Sequence, residues 1–238
     1  MSESRPYCIS IAGFDPCGGA GILTDIKTFE NLKVMGLGVL SALTYQNDDT
    51  FEGITWNTFT QIKQQLFQLK KYPVQFAKIG IIEDFEILYK CINLLEDSFP
   101  GISIVWDPVL KASAGFQFHA DKVIPDDLMK KLFLLTPNMD EYNQLNLNGK
   151  VSCNVLLKGG HREIKGTDTL FSDGIEQNIE GKPFNNQMAK HGTGCVLSSA
   201  ITAFLAKGEE LTEACQKAKA YVEEFMLSND SNLGYHQC

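Results

Sequence analysis

The chain has 238 residues, 44 % of them hydrophobic and 21 % charged, with a formal net charge of -8. That composition fits a folded protein long enough for one large α/β domain or two small ones, and it excludes a general affinity for nucleic acid or an anionic membrane surface. No apolar run approaches the ~20 residues of a membrane span, and the start "MSESRPYCISIAG" has no apolar core behind basic residues, so no secretion signal is read. Seven cysteines at scattered spacings, with no CxxC pair, point to reduced thiols in a cytoplasmic protein.

In chain order, Tyr7–Ala12 reads as a buried strand. Gly18 to Gly21 make a turn, and Ala20–Leu32 has helical periodicity through Ile22, Ile26, Phe29 and Leu32. A second apolar run spans 35–46, and an amphipathic helix 57–72. A strand at 75–82, a helix at 84–98 and a strand at 101–110 follow. Residues 126–133 read as helix, 132–138 as helix end turning into strand, and "MDEYNQL" as a short helix. "NVLLKGGH" (154–161) is a strand entering a glycine turn. Ser172-Asp173-Gly174 between two short runs marks a hairpin over 167–181. "KHGTGCVLSSAITAFLAKG" (190–208) is a glycine turn opening an apolar helix, and 209–226 is the last helix.

Strands alternating with helices give an α/β protein with a mainly parallel sheet covered on both faces. Such sheets bind ligands at the carboxyl ends of their strands. Asp15, Gln46, Asp107, Asn138 and Lys158 each follow an apolar run closely, which argues for one shared site.

Two glycine loops compete for phosphate. Gly13 to Gly18 has P-loop spacing, but Gly19-Ala20 stands where lysine and a hydroxyl residue are needed. The GxGxxG spacing is absent as well, which removes the dinucleotide-binding oxidoreductase reading. This loop is either a plain tight turn or the wall of a small-molecule pocket. In "HGTGC", Gly192 and Gly194 allow successive N–H groups to converge, and the following helix adds its N-terminal dipole, so the turn reads as an anion hole. Cys195 would sit at that helix start, where a thiol pKa is lowered, as a base or charge partner. The other reading is a buried helix start with an incidental cysteine.

The ordered segments "IAGFDPCGGAGILTDIKTFENLKVMG", "SALTYQN", "AKIGII", "WDPVL", "LTPNMDEYNQL", "VLLKGGH" and "HGTGCVLSSAITAFLAKG" resemble the hydroxymethylpyrimidine/phosphomethylpyrimidine kinases of thiamine biosynthesis, in the ribokinase-like superfamily. The resemblance implies a three-layer α/β/α sandwich. It also implies transfer of the ATP γ-phosphoryl group to the hydroxymethyl oxygen of 4-amino-5-hydroxymethyl-2-methylpyrimidine, and in many members to its monophosphate.

By the same resemblance, Gly192, Gly194 and Cys195 carry the catalytic turn. Cys195 takes the hydroxyl proton or orients the hydroxyl. Asp107, Asn138, Lys158 and Thr193 contact ATP. Asn138 and Glu141 organise Mg2+, often through water, although Glu141 alone would also suit a helix first turn. Lys158 has a second reading as a solvated strand end. The pyrimidine pocket would use Asp25 and Gln46, with Gly13, Ala20, Gly80 and Val109 as close walls. Gln46 offers both donors and an acceptor to an aminopyrimidine edge, whereas the periodicity leaves the direction of Asp25 open.

Four departures from the family pattern stand out. "KASAGFQF" (111–118) replaces an Ala-Lys-Ser-Gly stretch, Lys190 replaces a hydroxyl residue, and Ile81 replaces methionine. The connection 146–153 is too short for the helix the family places there, and a second subunit covering the uncovered face would make a homodimer. A pyridoxal or pyridoxine kinase on the same scaffold is the alternative function, and a non-catalytic sensor the third.

Overall fold

The computed structural model describes residues 4–110, 123–147, 151–159, 166–182 and 190–237. The altered stretch 111–118 lies outside them. Nine strands form one sheet: β1 (Tyr7–Phe14), β2 (Met35–Gln46), β3 (Phe51–Trp56), β4 (Val74–Ile79), β5 (Ser103–Trp106), β6 (Leu134–Leu135), β7 (Asn154–Leu157), β8 (Asp168–Ser172) and β9 (Ile175–Ile179). Their order is β3-β2-β1-β4-β5-β6-β7-β8-β9. β2 through β7 pair in parallel, and β3, β8 and β9 join antiparallel at the two edges.

Seven helices cover the sheet among the described residues: α1 (Gly21–Asn31), α2 (Phe59–Phe67), α3 (Phe85–Ser98), α4 (Asp126–Met129), α5 (Met139–Gln144), α6 (Thr193–Ala206) and α7 (Leu211–Met226). Side-chain alternation along the strands separates two cores. Ile104 and Trp106 of β5 pack with Ile62, Leu66, Leu88 and Ile92 of α2 and α3. Val105, between them, packs with Val196, Ala200 and Ile201 of α6 and with α7. Cys8 of β1 meets Phe29 of α1 and Ala203 of α6. The result is the expected three-layer α/β/α sandwich.

β3 is the element that the sequence pattern does not mark. Asn47 makes the turn that creates it, its side chain accepting from the N–H groups of Asp49 (2.8 Å) and Thr50 (2.7 Å). Ile54 and Trp56 then return along β2. The 167–181 hairpin is present as β8 and β9, with Asp173 and Gly174 both at positive φ, as a tight hairpin turn requires.

The chain steps from β1 outward to β2 and then back across to β4, so β1 and β4 flank the switch point of the sheet. Crevices form at the carboxyl edge of such a point. Here the β1–α1 loop, Gly80 after β4, Asp107 after β5, Asn138 after β6 and Lys158 after β7 all lie at that edge.

Candidate active site

A cavity of about 340 Å³ opens at this edge, within the size range of small-molecule sites. One wall comes from the β1–α1 loop and the β2–β3 hairpin: Gly13, Ala20, Thr44, Gln46 and Phe51. Gly80, Ile81 and Val109 close the side, with the Cγ2 of Ile81 against Gly13. The opposite end holds Asp107, Asn138, Glu141 and Lys158, and the turn Gly192–Cys195 runs between the two ends. Thirteen of the fourteen residues that the resemblance assigns to the site, all but Asp25, line this one cavity, and Asp15 stands outside its lining.

The two glycine loops, far apart in sequence, interlock. Gly192 has φ 77° and caps α6, and a Cβ there would lie 2.0 Å from the carbonyl oxygen of Gly19. Gly21 has φ 58°, with its Cβ position 2.2 Å from the carbonyl oxygen of Gly13. Only glycine allows both the left-handed backbone and the approach. Asp15 ties the joint. Its carboxylate accepts from the N–H groups of Cys17 (3.1 Å) and Ala20 (2.8 Å) and lies 2.9 Å from the Nε2 of His191. Burial opposes the charge of Asp15, and these hydrogen bonds more than offset it, holding its carboxyl below the usual range.

At the far end, Lys158 donates to the Oδ1 of Asp107 at 2.8 Å and stands 3.7 Å from the Oε2 of Glu141. Lys158 is thus an inward charge and not a solvated strand end. Ser198 of α6 donates to the other Asp107 oxygen at 3.3 Å. Burial works against the Asp107 carboxylate, but Lys158 and Lys78 lower its pKa. Asn138 and Glu141 form a capping box at the start of α5, each side chain accepting from the other's backbone N–H at 2.9 and 2.7 Å. The box holds the Glu141 carboxylate toward the cavity, where burial raises its pKa despite Lys158. A carboxylate and an amide oxygen beside a phosphate-sized space are hard donors of the type Mg2+ takes, directly or through water.

Two expectations are corrected. Asp25 does not approach the ring. It faces inward on the same stripe of α1 as Ile22 and Phe29, wholly buried. There it holds the Lys78 ammonium, 2.8 Å from both carboxylate oxygens, and accepts from Ser10 (2.5 Å) and Ser199 (2.6 Å). The Cys195 thiol is also not lowered. Burial pushes its pKa up to about 11, although Lys78 acts in the opposite direction. Its place in the first turn of α6 does not offset the loss of solvent.

Sequence reasoning missed Lys78 and His191. A lysine between Ala77 and Ile79 in a central strand is the signal for the first, because such a charge must be paired when buried. His191 stood in the quoted turn without a role. Lys190, the departure before that turn, donates to the carbonyl oxygens of Asn229 and Ser231 and to the Oδ1 of Asn229 at 3.1 Å. It pins the C-terminal segment beneath the loops.

A switch-point crevice with an interlocked glycine turn, a paired lysine and inward carboxylates defines a phosphotransferase acting on a small molecule. The sequence matches the phosphomethylpyrimidine kinase family over residues 15–237. It is 32 % identical to the hydroxymethylpyrimidine/phosphomethylpyrimidine kinase of Haemophilus influenzae, across 95 % of this chain and 92 % of that one. Among solved structures it is similar to the phosphomethylpyrimidine kinase of Clostridium difficile, with a TM-score of 0.73, 27 % identity and coverage of 92 % of this chain and 99 % of that chain. It is also similar to the pyridoxal kinase of Staphylococcus aureus in complex with AMP-PCP and pyridoxal, with a TM-score of 0.79, 25 % identity and coverage of 97 % and 92 %. The chain belongs to the phosphomethylpyrimidine kinase family.

Proposed function

We propose that the protein transfers the γ-phosphoryl group of ATP to the hydroxymethyl oxygen of 4-amino-5-hydroxymethyl-2-methylpyrimidine, and a second one to the resulting monophosphate. The observation that carries this reading is the convergence of Gln46, the Gly192–Cys195 turn and the Lys158–Asp107 pair on one cavity. Gln46 meets the aminopyrimidine edge, and Gly13, Ala20, Gly80 and Val109 leave room for a flat ring. The hydroxymethyl oxygen then lies near Cys195.

Phosphoryl transfer asks for positioning and charge neutralisation. The acceptor O–H loses its proton to the thiolate form of Cys195, the oxygen bonds to the γ-phosphorus, and the bond to the β-phosphate oxygen breaks, releasing ADP; the resting thiol must first give up its own proton. The backbone N–H groups of Gly192, Thr193, Gly194 and Cys195 are the donors for the transferring group, and Lys158, beside Asp107, balances the nucleotide phosphates. Asn138 and Glu141 would hold Mg2+, through water, to neutralise β- and γ-phosphate charge.

The nine-stranded sheet runs through the described chain, which supports residues 1–238 as one kinase domain. We place the enzyme in the cytoplasm, on its free cysteines among the described residues and its lack there of a helix able to cross a membrane. A homodimer remains our reading of the shortened connection. A groove of about 720 Å³ lies beside it between Leu132, Tyr142, Val151 and Ile175, and Ile175 is 67 % exposed. Sedimentation giving only monomer across a wide concentration range would remove the dimer.

ADP release with hydroxymethylpyrimidine, its monophosphate and pyridoxal as separate acceptors tests the activity. We expect the highest kcat/KM with the pyrimidines. Preference for pyridoxal would assign the vitamin B6 reaction, and no turnover with any acceptor would overturn the kinase reading.

A further inference from the structure

Lys78 sits on the central strand β4, beside Ser10 of β1 in the parallel register, and its side chain is wholly buried. An ammonium carries three N–H donors. Two go to the Asp25 oxygens, and the third has no partner among the described residues. The next positions on the same face of β1 and β4 are Ala12 and Gly80. Both are small, and a Cβ at Gly80 would come within 3.1 Å of the Lys78 Nζ and 3.3 Å of the Ala12 Cβ. The small pair therefore leaves the ammonium directly behind the cavity floor, which Lys78, Ala12, Gly80 and Cys195 share.

Asp25 is in turn fixed from three elements: Ser10 on β1, Ser199 on α6 and its own helix α1. Such a clamp holds the cation in one place without rotamer freedom. Burying this ion pair costs desolvation energy that its mutual attraction offsets only in part. A packed apolar pair would fill the same space.

We propose that Lys78, clamped by Asp25, is a positioning residue of the phosphoryl transfer, the fixed cation behind the cavity floor that favours the thiolate form of Cys195, the form able to take the hydroxyl proton. The charged and titratable groups acting on the Cys195 sulfur are Lys78 from β4, Asp107 after β5, Asp25 from α1 and Lys158 after β7. The two lysines favour its anionic form and the two aspartates oppose it. Asp25 thus has two effects of opposite sense: it anchors the cation and partly cancels its field. The role in catalysis rests on the kinase reading above, whereas the influence on the sulfur does not.

The test is the rate of Cys195 alkylation by iodoacetamide, read by mass spectrometry on its own peptide, in wild type, Asp25→Asn, Lys78→Met and the doubly neutral Lys78→Met/Asp25→Asn. Alkylation at fixed pH is expected to be faster than wild type in Asp25→Asn and slower in Lys78→Met. The double variant should be at least about tenfold slower than Asp25→Asn, the change that one pKa unit produces. The double variant leaves no uncompensated buried charge, so this comparison survives if Lys78→Met fails to fold. In ATP turnover, the double variant should lose kcat with the KM for ATP unchanged. A role limited to packing would shift both single variants the same way. Equal alkylation rates in Asp25→Asn and the double variant, or shifts of one sign in both singles, would overturn the proposal. The expected alkylation order without any ATP turnover in wild type would instead sink the kinase reading and leave the electrostatics intact.

Discussion

His191 and Asp15 meet at 2.9 Å across 176 positions of sequence, and their contact locks the β1–α1 glycine loop to the Gly192–Cys195 turn. The same carboxylate caps the Cys17 and Ala20 N–H groups, so one side chain sets the shape of both loops.

Asp15→Asn should therefore loosen the joint. Hydrogen bonds to a charged group contribute about 1.5–3 kcal/mol each, and the amide cannot replace all of them. We expect a loss of about 2–3 kcal/mol in urea unfolding at pH 7. The folded-state pKa of Asp15 is lowered, so its contribution is full above the ordinary aspartate pKa and lost as pH falls through the folded value. The wild-type and variant curves should converge on acidification. A constant gap down to the acid limit would show that Asp15 acts by shape alone.

Cys195 offers a second pH signature. With its pKa pushed up to about 11, the resting residue is a thiol at neutral pH. Its alkylation should rise tenfold per pH unit from 7 toward 11, without a plateau near 8. A plateau there would mean an activated resting thiolate. Cys195→Ala should lower kcat by about 10²–10⁴, the usual range for a lost proton acceptor, while the KM for ATP stays within about twofold.

The sequence made most of this legible because two signals agreed. Short apolar runs gave the central strands, and polar residues just past their ends gave the cavity lining. What escaped has physical causes. β3 depends on the Asn47 side chain turning the backbone, a bond that no hydropathy pattern records. Asp25 lies three residues after Ile22 and four before Phe29, but periodicity alone does not turn a carboxylate inward, and the partner that does, Lys78, is 53 positions away. The thiol of Cys195 follows the same rule: its helix position was readable, whereas the burial that raises its pKa is a property of the closed cavity.

Gly192 and Gly194 look equivalent in "HGTGC" and are not. Gly192→Ala puts a side chain on a residue at φ 77° and drives its Cβ to 2.0 Å from the Gly19 oxygen. The left-handed backbone alone costs about 1–2 kcal/mol, and the clash adds to it by separating the loops. Gly194→Ala places a Cβ 3.3 Å from the Lys158 Nζ and 3.7 Å from an Asp107 oxygen, contacts that a small shift relieves. We expect Gly192→Ala to lose both stability and turnover. Gly194→Ala should keep its thermal midpoint and lose kcat. Equal losses of stability in the two would refute the distinction.

The C-terminal segment supplies the last prediction. Lys190 holds Asn229 and Ser231, and the His191 N–H donates to the Asn232 carbonyl at 2.9 Å. Further along, His236 packs 4.9 Å from the Phe225 ring, and its Nδ1 lies 2.9 Å from the Tyr221 hydroxyl. Burial, helped by Lys27, pulls the His236 pKa from 6.5 down to about 4. The docked segment therefore favours the neutral imidazole. Its docking is at full strength above pH 6.5 and weakens as pH falls toward 4, where the freed histidine takes up its proton. Protection of the 228–237 amides, their exchange relative to the intrinsic chemical rate, should fall over that interval in wild type. His236→Phe keeps an aromatic ring against Phe225 and has nothing to titrate, so its exchange should lose this pH dependence. Lys190→Ala should accelerate exchange at every pH, because its hydrogen bonds to Asn229 and Ser231 do not pass through His236. A wild-type exchange profile that tracks only the intrinsic chemical rate between pH 7 and 4 would show that the segment is not held through His236.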